Sequence, residues 1–179
     1  MEFEVILAVD EKWGIGKDGS IPWFVPEDLQ FFKEKTDGNI IIMGSNTFNS
    51  LGRKPLKNRL NVVLTRAPWI YKKAEKKYLN LIFVKSIDDI AIFSNKIETM
   101  QVLPFLKFDY KLFVIGGANI YDQFIRDHRV STIWITFIKG EYGCDTVYNP
   151  FKENTYYILN EVIKNTSDYC IKKYIKFYM

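Results

Sequence analysis

The chain has 179 residues, of which 47% are apolar and 16% aromatic, which is enough for the core of one folded domain and excludes a disordered chain. Its net charge of +4 comes from basic runs that acidic residues interrupt, so the sequence predicts no nucleic-acid-binding surface, although a mildly positive field suits an anionic small ligand. Two distant cysteines, one histidine, no secretory leader and no apolar run approaching about 18 residues predict a cytoplasmic protein with reduced thiols, no metal site and no membrane span.

The predicted elements alternate in type along the chain. Continuous apolar runs predict buried strands, and segments that begin at a proline or a serine cap predict helices. In chain order we expect strand 3–9, loop 10–23, helix 26–35, strand 39–43, helix 45–51, strands 60–65 and 81–84, a helix start at Ser86, strand 111–115, helix 118–126, strand 132–138 and a closing hairpin of 156–163 with 169–177. Residues 66–80 and 95–110 are expected to be surface excursions.

This order of elements predicts an α/β fold in a single domain that spans residues 1–179. Strands that alternate with helices favour a mostly parallel central sheet of about eight strands, with helices on both faces and an antiparallel C-terminal hairpin. In such a sheet a ligand crevice is expected at the carboxyl ends of the parallel strands.

A glycine-rich segment follows the first predicted strand. Gly14-Ile15-Gly16-Lys17-Asp18-Gly19 matches the G-x-G-x-x-G pattern of dinucleotide-binding proteins. That motif requires a helix directly after it, so that the pyrophosphate meets the helix N-terminus, whereas Ser20-Ile21-Pro22-Trp23 is not helical in pattern. The glycines therefore indicate a flexible loop that passes close to a ligand.

Two other strand ends carry small and polar residues suited to phosphate binding. Gly116-Gly117-Ala118-Asn119 and Gly44-Ser45-Asn46-Thr47 each stand between a predicted strand and a predicted helix. Tight strand–helix packing explains the first equally well, and an ordinary serine cap explains the second. Together, two such turns on one sheet fit the two phosphates of a dinucleotide. Arg66 at the end of the third strand is either a ligand for a further isolated phosphate or a surface arginine.

Asp28 lies among apolar positions of the first predicted helix. Val25, Leu29 and Phe32 define an apolar face by their spacing, and Asp28 falls on that face. A carboxylate there is costly to bury without a donor, which a cationic or amidine-like ligand supplies. The alternative is an acid in the first helical turn that interacts favourably with the helix dipole, and the spacing alone leaves both interpretations open.

Read in order, these residues resemble the dihydrofolate reductase family, and the resemblance covers nearly the whole chain. Each match is weak by itself, but the ordered set is specific. The matching residues are Ile15-Gly16, Ile21-Pro22-Trp23, Pro26-Glu27-Asp28-Leu29, Phe31-Phe32, Ile42-Met43-Gly44, Thr47, Leu56, Arg59, Asn61, the run from Val114 to Tyr121, Trp134-Ile135-Thr136 and Asp145-Thr146.

The resemblance implies an enzyme that reduces 7,8-dihydrofolate to 5,6,7,8-tetrahydrofolate with NADPH, in support of one-carbon metabolism and thymidylate synthesis. It also implies a monomer that antifolates inhibit. Asp28 is then the carboxylate that holds N3 and the 2-amino group of the pterin, and it favours protonation at N5 as hydride reaches C6. Thr136 supports Asp28 through its hydroxyl, and Trp23 orders a water beside it.

The remaining site residues follow from the same resemblance. Arg59 clamps the glutamate carboxylate of the substrate, and residues 15–21 close over the nicotinamide. The peptide bond between Gly116 and Gly117 is expected to be cis. The ring and the aminobenzoate lie against Ile6, Ala8, Leu29, Phe32, Leu51, Leu56, Ile115 and Tyr121. The cofactor contacts Ala8, Ile15, Gly16, Gly19, Ser20, Ile21, Gly44, Ser45, Asn46, Thr47, Leu64, Thr65, Arg66, Ile115, Gly116, Gly117, Ala118, Asn119, Ile120 and Tyr121.

The sequence departs from the family pattern at the cofactor end. Ser45 and Asn46 stand where relatives commonly carry basic residues, so Arg66 is the main charge for the phosphate that distinguishes NADPH from NADH. Two alternatives stay open. One is a reductase of the same fold that acts on another pterin or pyrimidine. Arg59 argues against it, because a substrate without a glutamate tail has no carboxylate for Arg59 to bind. The other is a nucleotide-binding domain without catalytic activity.

Overall fold

The computed structural model describes residues 1–90, 92, 103–152 and 156–177. The strands are β1 (Phe3–Val9), β2 (Gly14–Gly16), β3 (Ile40–Gly44), β4 (Leu60–Leu64), β5 (Leu81–Val84), β6 (Leu112–Val114), β7 (Val130–Ile138), β8 (Thr146–Val147), β9 (Tyr157–Asn165) and β10 (Tyr169–Lys176). The helices are α1 (Pro26–Thr36), α2 (Ser45–Ser50), α3 (Lys72–Lys77) and α4 (Ala118–Ile125), with a 3-10 helix at Pro68–Tyr71 and a helical turn over residues 87–90.

The central sheet has eight strands in the order β5-β4-β3-β6-β1-β7-β10-β9. Every pair from β5 to β7 is parallel, and β10 is antiparallel to both of its neighbours. The predicted mostly parallel sheet with an antiparallel C-terminal hairpin is therefore confirmed. The carboxyl ends of six parallel strands meet along one edge, where a ligand crevice is expected.

Helices cover both faces of this sheet because β1 and its neighbours are apolar on both sides. Phe3 of β1 faces α4 and meets Phe124 edge to face, with ring centroids 4.9 Å apart. Ile6 of the same strand faces the other way, into a cluster that includes Phe32 of α1 and Phe48 of α2. Each such buried side chain contributes about 1.5–3 kcal/mol to stability.

The first helix begins and ends where its sequence predicts. Pro26 occupies the first turn, where a missing N–H costs no hydrogen bond. Glu27 and Asp28 lie at the positive end of the helix, and Lys33 and Lys35 lie at the negative end. The prediction of a helix from Pro26 to about residue 35 is confirmed, with one further residue at its end.

Two predicted loops contain regular structure. Residues 14–16, expected in a loop, form β2 and pair with β8. Residues 68–77, within the expected excursion 66–80, form the 3-10 helix and α3, and Tyr71, Ala74 and Tyr78 pack against the core. Of the expected excursion 95–110, residues 95–102 lie outside the described residues, and Leu103, Phe105, Leu106 and Tyr110 are half-buried against the core.

The described helices are all too short or too polar to cross a membrane. Cys144 and Cys170 are free thiols, as predicted.

Candidate active site

Asp28 of α1 lies over the sheet at the carboxyl end of β7. The Thr136 hydroxyl donates a hydrogen bond to the Asp28 carboxylate. Thr136 is buried and pairs in register with Ala8 of β1, so this contact joins α1 to two central strands. Tyr121 of α4 lies close enough for Asp28 to influence its ionisation, and its hydroxyl donates to the Ile6 carbonyl at 2.9 Å.

The environment of Asp28 raises the basicity of its carboxylate. Burial raises the pKa of Asp28 above its usual value of 3.8, and the hydrogen bond from Thr136 opposes this only in part. A partly buried carboxylate with one neutral donor has acceptor capacity left over. Asp28 can therefore accept further hydrogen bonds from a ligand placed over β1 and β7.

Trp23 provides a second polar group near this position. Its ring is 8% exposed and lies in a cluster with Ala8, Val25 and Ile171, with the Tyr142 ring at 5.4 Å in an edge contact. Its buried indole N–H has no hydrogen-bond partner among the described residues. A buried donor of this kind requires a water or a ligand atom.

An apolar wall continues from Asp28 along α1 and α2. Ile6 is buried, and the half-buried side chains Phe32, Leu51, Leu56 and Ile115 pack against the same cluster. Leu29, one residue after Asp28, is 51% exposed and projects from α1. These residues form an apolar surface that continues from α1 to α2.

Arg59 lies beyond the end of this wall, behind the C-terminal turn of α1. It is 8% exposed, and its guanidinium donates to the Lys57 carbonyl at 2.9 Å and to the Thr36 hydroxyl at 3.1 Å. Burial lowers the pKa of Arg59, and Asp37 opposes this, but an arginine stays charged at neutral pH. These two contacts use the Nε–H and one of the other four guanidinium N–H groups, so a carboxylate can bind to the rest.

Two asparagines fix the segment that carries Leu56 and Arg59. The Asn61 side chain, fully buried, accepts from the Leu56 N–H and donates to the Leu56 and Arg59 carbonyls, each at 2.9 Å. The Asn80 side chain donates to the same two carbonyls, at 3.0 and 3.1 Å. Leu56 and Arg59 are therefore held in a fixed relation to each other.

The two glycine-containing turns meet at the strand ends of β3 and β6. The Gly44 N–H donates to the Gly116 carbonyl at 2.8 Å, and the peptide bond between Gly116 and Gly117 is cis, as expected. A β-carbon on Gly44 would lie 2.8 Å from Ile120, and one on Gly116, whose φ is +99°, would lie 2.7 Å from the Tyr121 ring. Both glycines are buried, and their lack of a side chain lets Ile120 and Tyr121 of α4 pack directly against these two turns.

The N-terminus of α4 opens onto this meeting point. Gly117 is its N-cap residue, and no side chain of the described residues caps the helix. Gly117 also lies beside Thr47 of α2, because a β-carbon on it would be 3.5 Å from the Thr47 hydroxyl. Uncapped N–H groups at the positive end of a helix bind anions such as phosphate.

Residues 14–20 comprise β2 and the turn after it, and they are joined to the segment around β8. Gly14 pairs with Val147, and the Asp18 N–H donates to the Asp145 carboxylate at 2.7 Å. Ile15 and Gly16 are half-buried, whereas Gly19, Ser20 and Ile21 are exposed. Trp13 precedes the loop and packs edge to face on Phe137 and Phe151, at 5.6 and 6.0 Å.

Two basic residues follow adjacent strands at the far edge of the sheet. Arg66 comes just after β4 and is exposed, and the Thr65 N–H donates to the Val84 carbonyl of β5 at 2.9 Å. Lys85 therefore follows β5 beside Arg66, and its ammonium lies 5.6 Å from the centre of the Trp69 ring. No sequence pattern marks Lys85, because only the strand order places the end of β5 next to that of β4.

Comparison with known proteins decides the family. Residues 2–177 match the family model described as dihydrofolate reductase. The chain belongs to the dihydrofolate reductase family. It is 35% identical over 156 residues to the dihydrofolate reductase of Bacillus subtilis (strain 168), with 87% of this chain and 80% of that protein covered. It also resembles a dihydrofolate reductase from Enterococcus faecalis complexed with NADP(H) and RAB-propyl, with a TM-score of 0.70, 26% identity, and coverage of 98% of this chain and 96% of that one.

Several relatives are longer proteins. The chain is 30% identical over 189 residues to the bifunctional dihydrofolate reductase-thymidylate synthase of Daucus carota, which covers 97% of this chain but 34% of that protein. The chain therefore spans about a third of the length of this relative.

Several of the residues expected from the dihydrofolate reductase resemblance lie together at one edge of the sheet. Asp28, Thr136 and Tyr121 lie together, and the turns at Gly44 and Gly116 touch. Leu64 and Ile120, both expected to contact the cofactor, are each 7% exposed and pack within the core. Ser45 is the first residue of α2 and its N-cap is Gly44, so the ordinary serine cap considered for this position does not occur.

Proposed function

We propose that this protein reduces 7,8-dihydrofolate to 5,6,7,8-tetrahydrofolate with NADPH as hydride donor, in support of one-carbon metabolism and thymidylate synthesis. One observation carries the proposal: a partly buried carboxylate, Asp28, receives a hydrogen bond from Thr136. It lies on the same sheet edge as the touching turns of Gly44 and Gly116. Membership of the dihydrofolate reductase family and the NADP(H) complex of the Enterococcus relative support the assignment.

Asp28 recognises the pterin. Its two carboxylate oxygens accept hydrogen bonds from N3–H and the 2-amino group, which are adjacent and nearly coplanar donors. The Thr136 hydroxyl fixes the carboxylate orientation. Because burial raises the pKa of Asp28, the carboxylate binds this proton-bearing edge strongly and favours a proton at N5. The unpartnered indole N–H of Trp23 holds the water that relays this proton.

The rest of the substrate lies along the apolar wall toward Arg59. Phe32, Leu51 and Leu56 pack against the ring and the aminobenzoate, and Leu29 covers them from α1. The glutamate carboxylate binds to the free N–H groups of Arg59, whose position Thr36 fixes. A substrate with a carboxylate tail gives this buried guanidinium a partner.

The residues at the strand ends fit a dinucleotide. The turns at Gly44 and Gly116 touch, and the N-terminus of α4 beside them suits a phosphate. Bound NADPH supplies the hydride that adds to C6 of the pterin. Arg66 takes the additional phosphate, since Ser45 and Asn46 carry no charge. Residues 15–21 close over the nicotinamide end and exclude water.

The same proposal includes a cytoplasmic monomer that antifolates inhibit. The free thiols of Cys144 and Cys170 suit a reducing compartment. Antifolates that carry a diaminopyrimidine present the same pair of donors to Asp28 and are expected to compete with substrate. Gel filtration of the purified protein tests the monomeric state.

A spectrophotometric assay tests the function. NADPH oxidation is followed with dihydrofolate, with a tail-free dihydropterin, and with dihydrofolate plus an antifolate. We expect rapid, antifolate-sensitive oxidation with dihydrofolate. Turnover of the tail-free pterin alone would instead support a related reductase of this fold. Tight NADPH binding without any turnover would support a nucleotide-binding domain.

A further inference from the structure

Asp10, the first residue after β1, has a buried carboxylate that the proposed reaction does not use. Its residue exposure is 3%. One oxygen, Oδ1, accepts from the N–H groups of Lys12 and Gly14, at 2.9 and 2.7 Å. The other oxygen, Oδ2, accepts from the Tyr142 N–H at 3.1 Å and from the Cys144 thiol at 3.6 Å. Each oxygen therefore serves a different segment of the chain.

The two segments are the loop that precedes α1 and the loop that follows β7. Beyond Asp10 they meet again where the Asp145 N–H donates to the Gly16 carbonyl at 3.1 Å. They also meet where the Asp18 N–H donates to the Asp145 carboxylate. These contacts hold residues 15–21, which are proposed to cover the nicotinamide, against the loop after β7.

The contact at Asp10 leaves no free space. A β-carbon on Gly14 would lie 2.5 Å from Cys144 and 2.9 Å from Asp10 Oδ1, so the backbone of the loop is pressed against both residues. Burial acts to raise the pKa of Asp10, but backbone N–H donors from Tyr142, Gly14 and Lys12 lower it overall. The carboxylate stays charged, and charge-assisted hydrogen bonds are stronger than neutral ones.

We propose that Asp10 is a positioning residue that fastens the loop of residues 15–21 to the loop after β7 and so sets the geometry of hydride transfer. The inference rests on the proposed function of the site. Asp10 is not among the residues proposed to contact substrate or cofactor. Its effect passes through Gly14 and Tyr142 to the residues that cover the reacting atoms.

Three variants separate this role from simple stability. Asp10→Asn keeps an oxygen for the Lys12 and Gly14 donors but presents an NH2 group to Tyr142, which also donates. It therefore removes the contact of Asp10 with the loop after β7, while the contacts made by Asp145 remain. Asp10→Ala removes both sets of contacts. Asp127→Asn is the matched control, because Asp127 also accepts from a backbone N–H, that of Arg129 at 2.9 Å, at the end of α4.

The variants are compared by stopped-flow hydride transfer in the NADPH complex and by amide exchange of Gly16 and Asp18. We expect Asp10→Asn to slow hydride transfer and to speed exchange at Asp18, each by about tenfold, with the dissociation constant for dihydrofolate within about twofold of wild type. Asp127→Asn should leave both measurements unchanged.

Rates and exchange within about twofold of wild type in both Asp10 variants would overturn the inference, as would equal losses in Asp127→Asn. The exchange measurement does not depend on turnover. Failure of wild-type protein to reduce dihydrofolate would thus refute the proposed function, while the exchange at Asp18 would still decide the link between the loops.

Discussion

Thr136 of β7 donates its hydroxyl hydrogen bond to Asp28 of α1, and this contact orients the carboxylate at the centre of the site. Burial raises the pKa of Asp28, and the hydrogen bond from Thr136 limits the rise. The chain thus holds a basic carboxylate at a fixed place over the sheet. Replacing Asp28 should therefore change both the catalytic activity and the free energy of unfolding, and each can be measured.

The Asp28→Asn variant should keep its fold and its NADPH binding but lose most activity at neutral pH. An amide cannot form the ion pair with the protonated pterin or favour protonation at N5, so kcat should fall at least about a hundredfold. The loss should shrink in acid, where solvent protonates N5 directly. Steady-state kinetics across the pH range check this, and full activity of the variant at neutral pH would refute the role of Asp28.

The same variant should be more stable than wild type at neutral pH. Because the pKa of Asp28 is raised in the folded protein, the folded state binds the proton more tightly than the unfolded state. The stabilising contribution is therefore present below the usual pKa of 3.8 and is lost as the pH rises through the folded value. Replacing the carboxyl with an amide removes that loss, so the advantage of the variant should disappear in acid.

Urea denaturation at a series of pH values measures this difference, and Asp127→Asn serves as a control with the opposite sign. The hydrogen bond from Arg129 lowers the pKa of Asp127, so its contribution is present at neutral pH and is lost as the pH falls. The control should therefore be less stable than wild type at neutral pH. Equal pH dependence of the two variants would contradict the account of Asp28.

Arg66→Ala should weaken NADPH binding by at least about tenfold, with little effect on NADH, because a charge-assisted bond to the additional phosphate is lost. Arg53→Ala removes an exposed arginine whose guanidinium donates to the Asn49 side chain at 2.9 Å, and it is the matched control. Dissociation constants from fluorescence titration check the preference. If Arg66→Ala leaves it unchanged, the phosphate binds elsewhere, and Lys85→Ala is the next variant to measure.

Asn80→Ala should raise the KM for dihydrofolate about tenfold while kcat stays within about twofold. The side chain donates to the Leu56 and Arg59 carbonyls, so its loss should loosen the segment that we propose binds the glutamate tail. A tail-free dihydropterin should show no change in KM. Asn49→Ala, which removes an acceptor for the Arg53 guanidinium, is the control. An equal rise in KM for both substrates would mean that Asn80 acts on the whole site.

The sequence predicts the central strands well because they are continuously apolar. The bounds of β1 and β5 agree with their predicted ranges. The three residues of β2 and two of β8 are too few to show a periodicity, and their pairing joins distant parts of the chain. The lysine-rich segment of α3 does contain a helical pattern, because the core-facing residues Tyr71, Ala74 and Tyr78 recur at helical spacing.

The residues of the site also differ in whether the sequence predicts them. Asp28, Trp23 and Thr136 belong to ordered motifs, so the resemblance points to them directly. Asp10 and Asn80 act on backbone N–H and C=O groups, which every residue type offers, and no side-chain pattern marks such partners. Only the folded chain shows which backbone groups they meet.

Transfer of deuterium from NADPH to C6 of the pterin tests directly whether the protein carries out the proposed reduction and whether Asp28 supports it. NADPH carrying deuterium at C4 of the nicotinamide, prepared as each of its two epimers, is oxidised with dihydrofolate and the protein, and the product is analysed by NMR and mass spectrometry. The account predicts tetrahydrofolate with one deuterium at C6 from one epimer only, at a rate that Asp28→Asn strongly reduces. Oxidation of NADPH without deuterium at C6, or transfer that Asp28→Asn leaves at the wild-type rate, would contradict it.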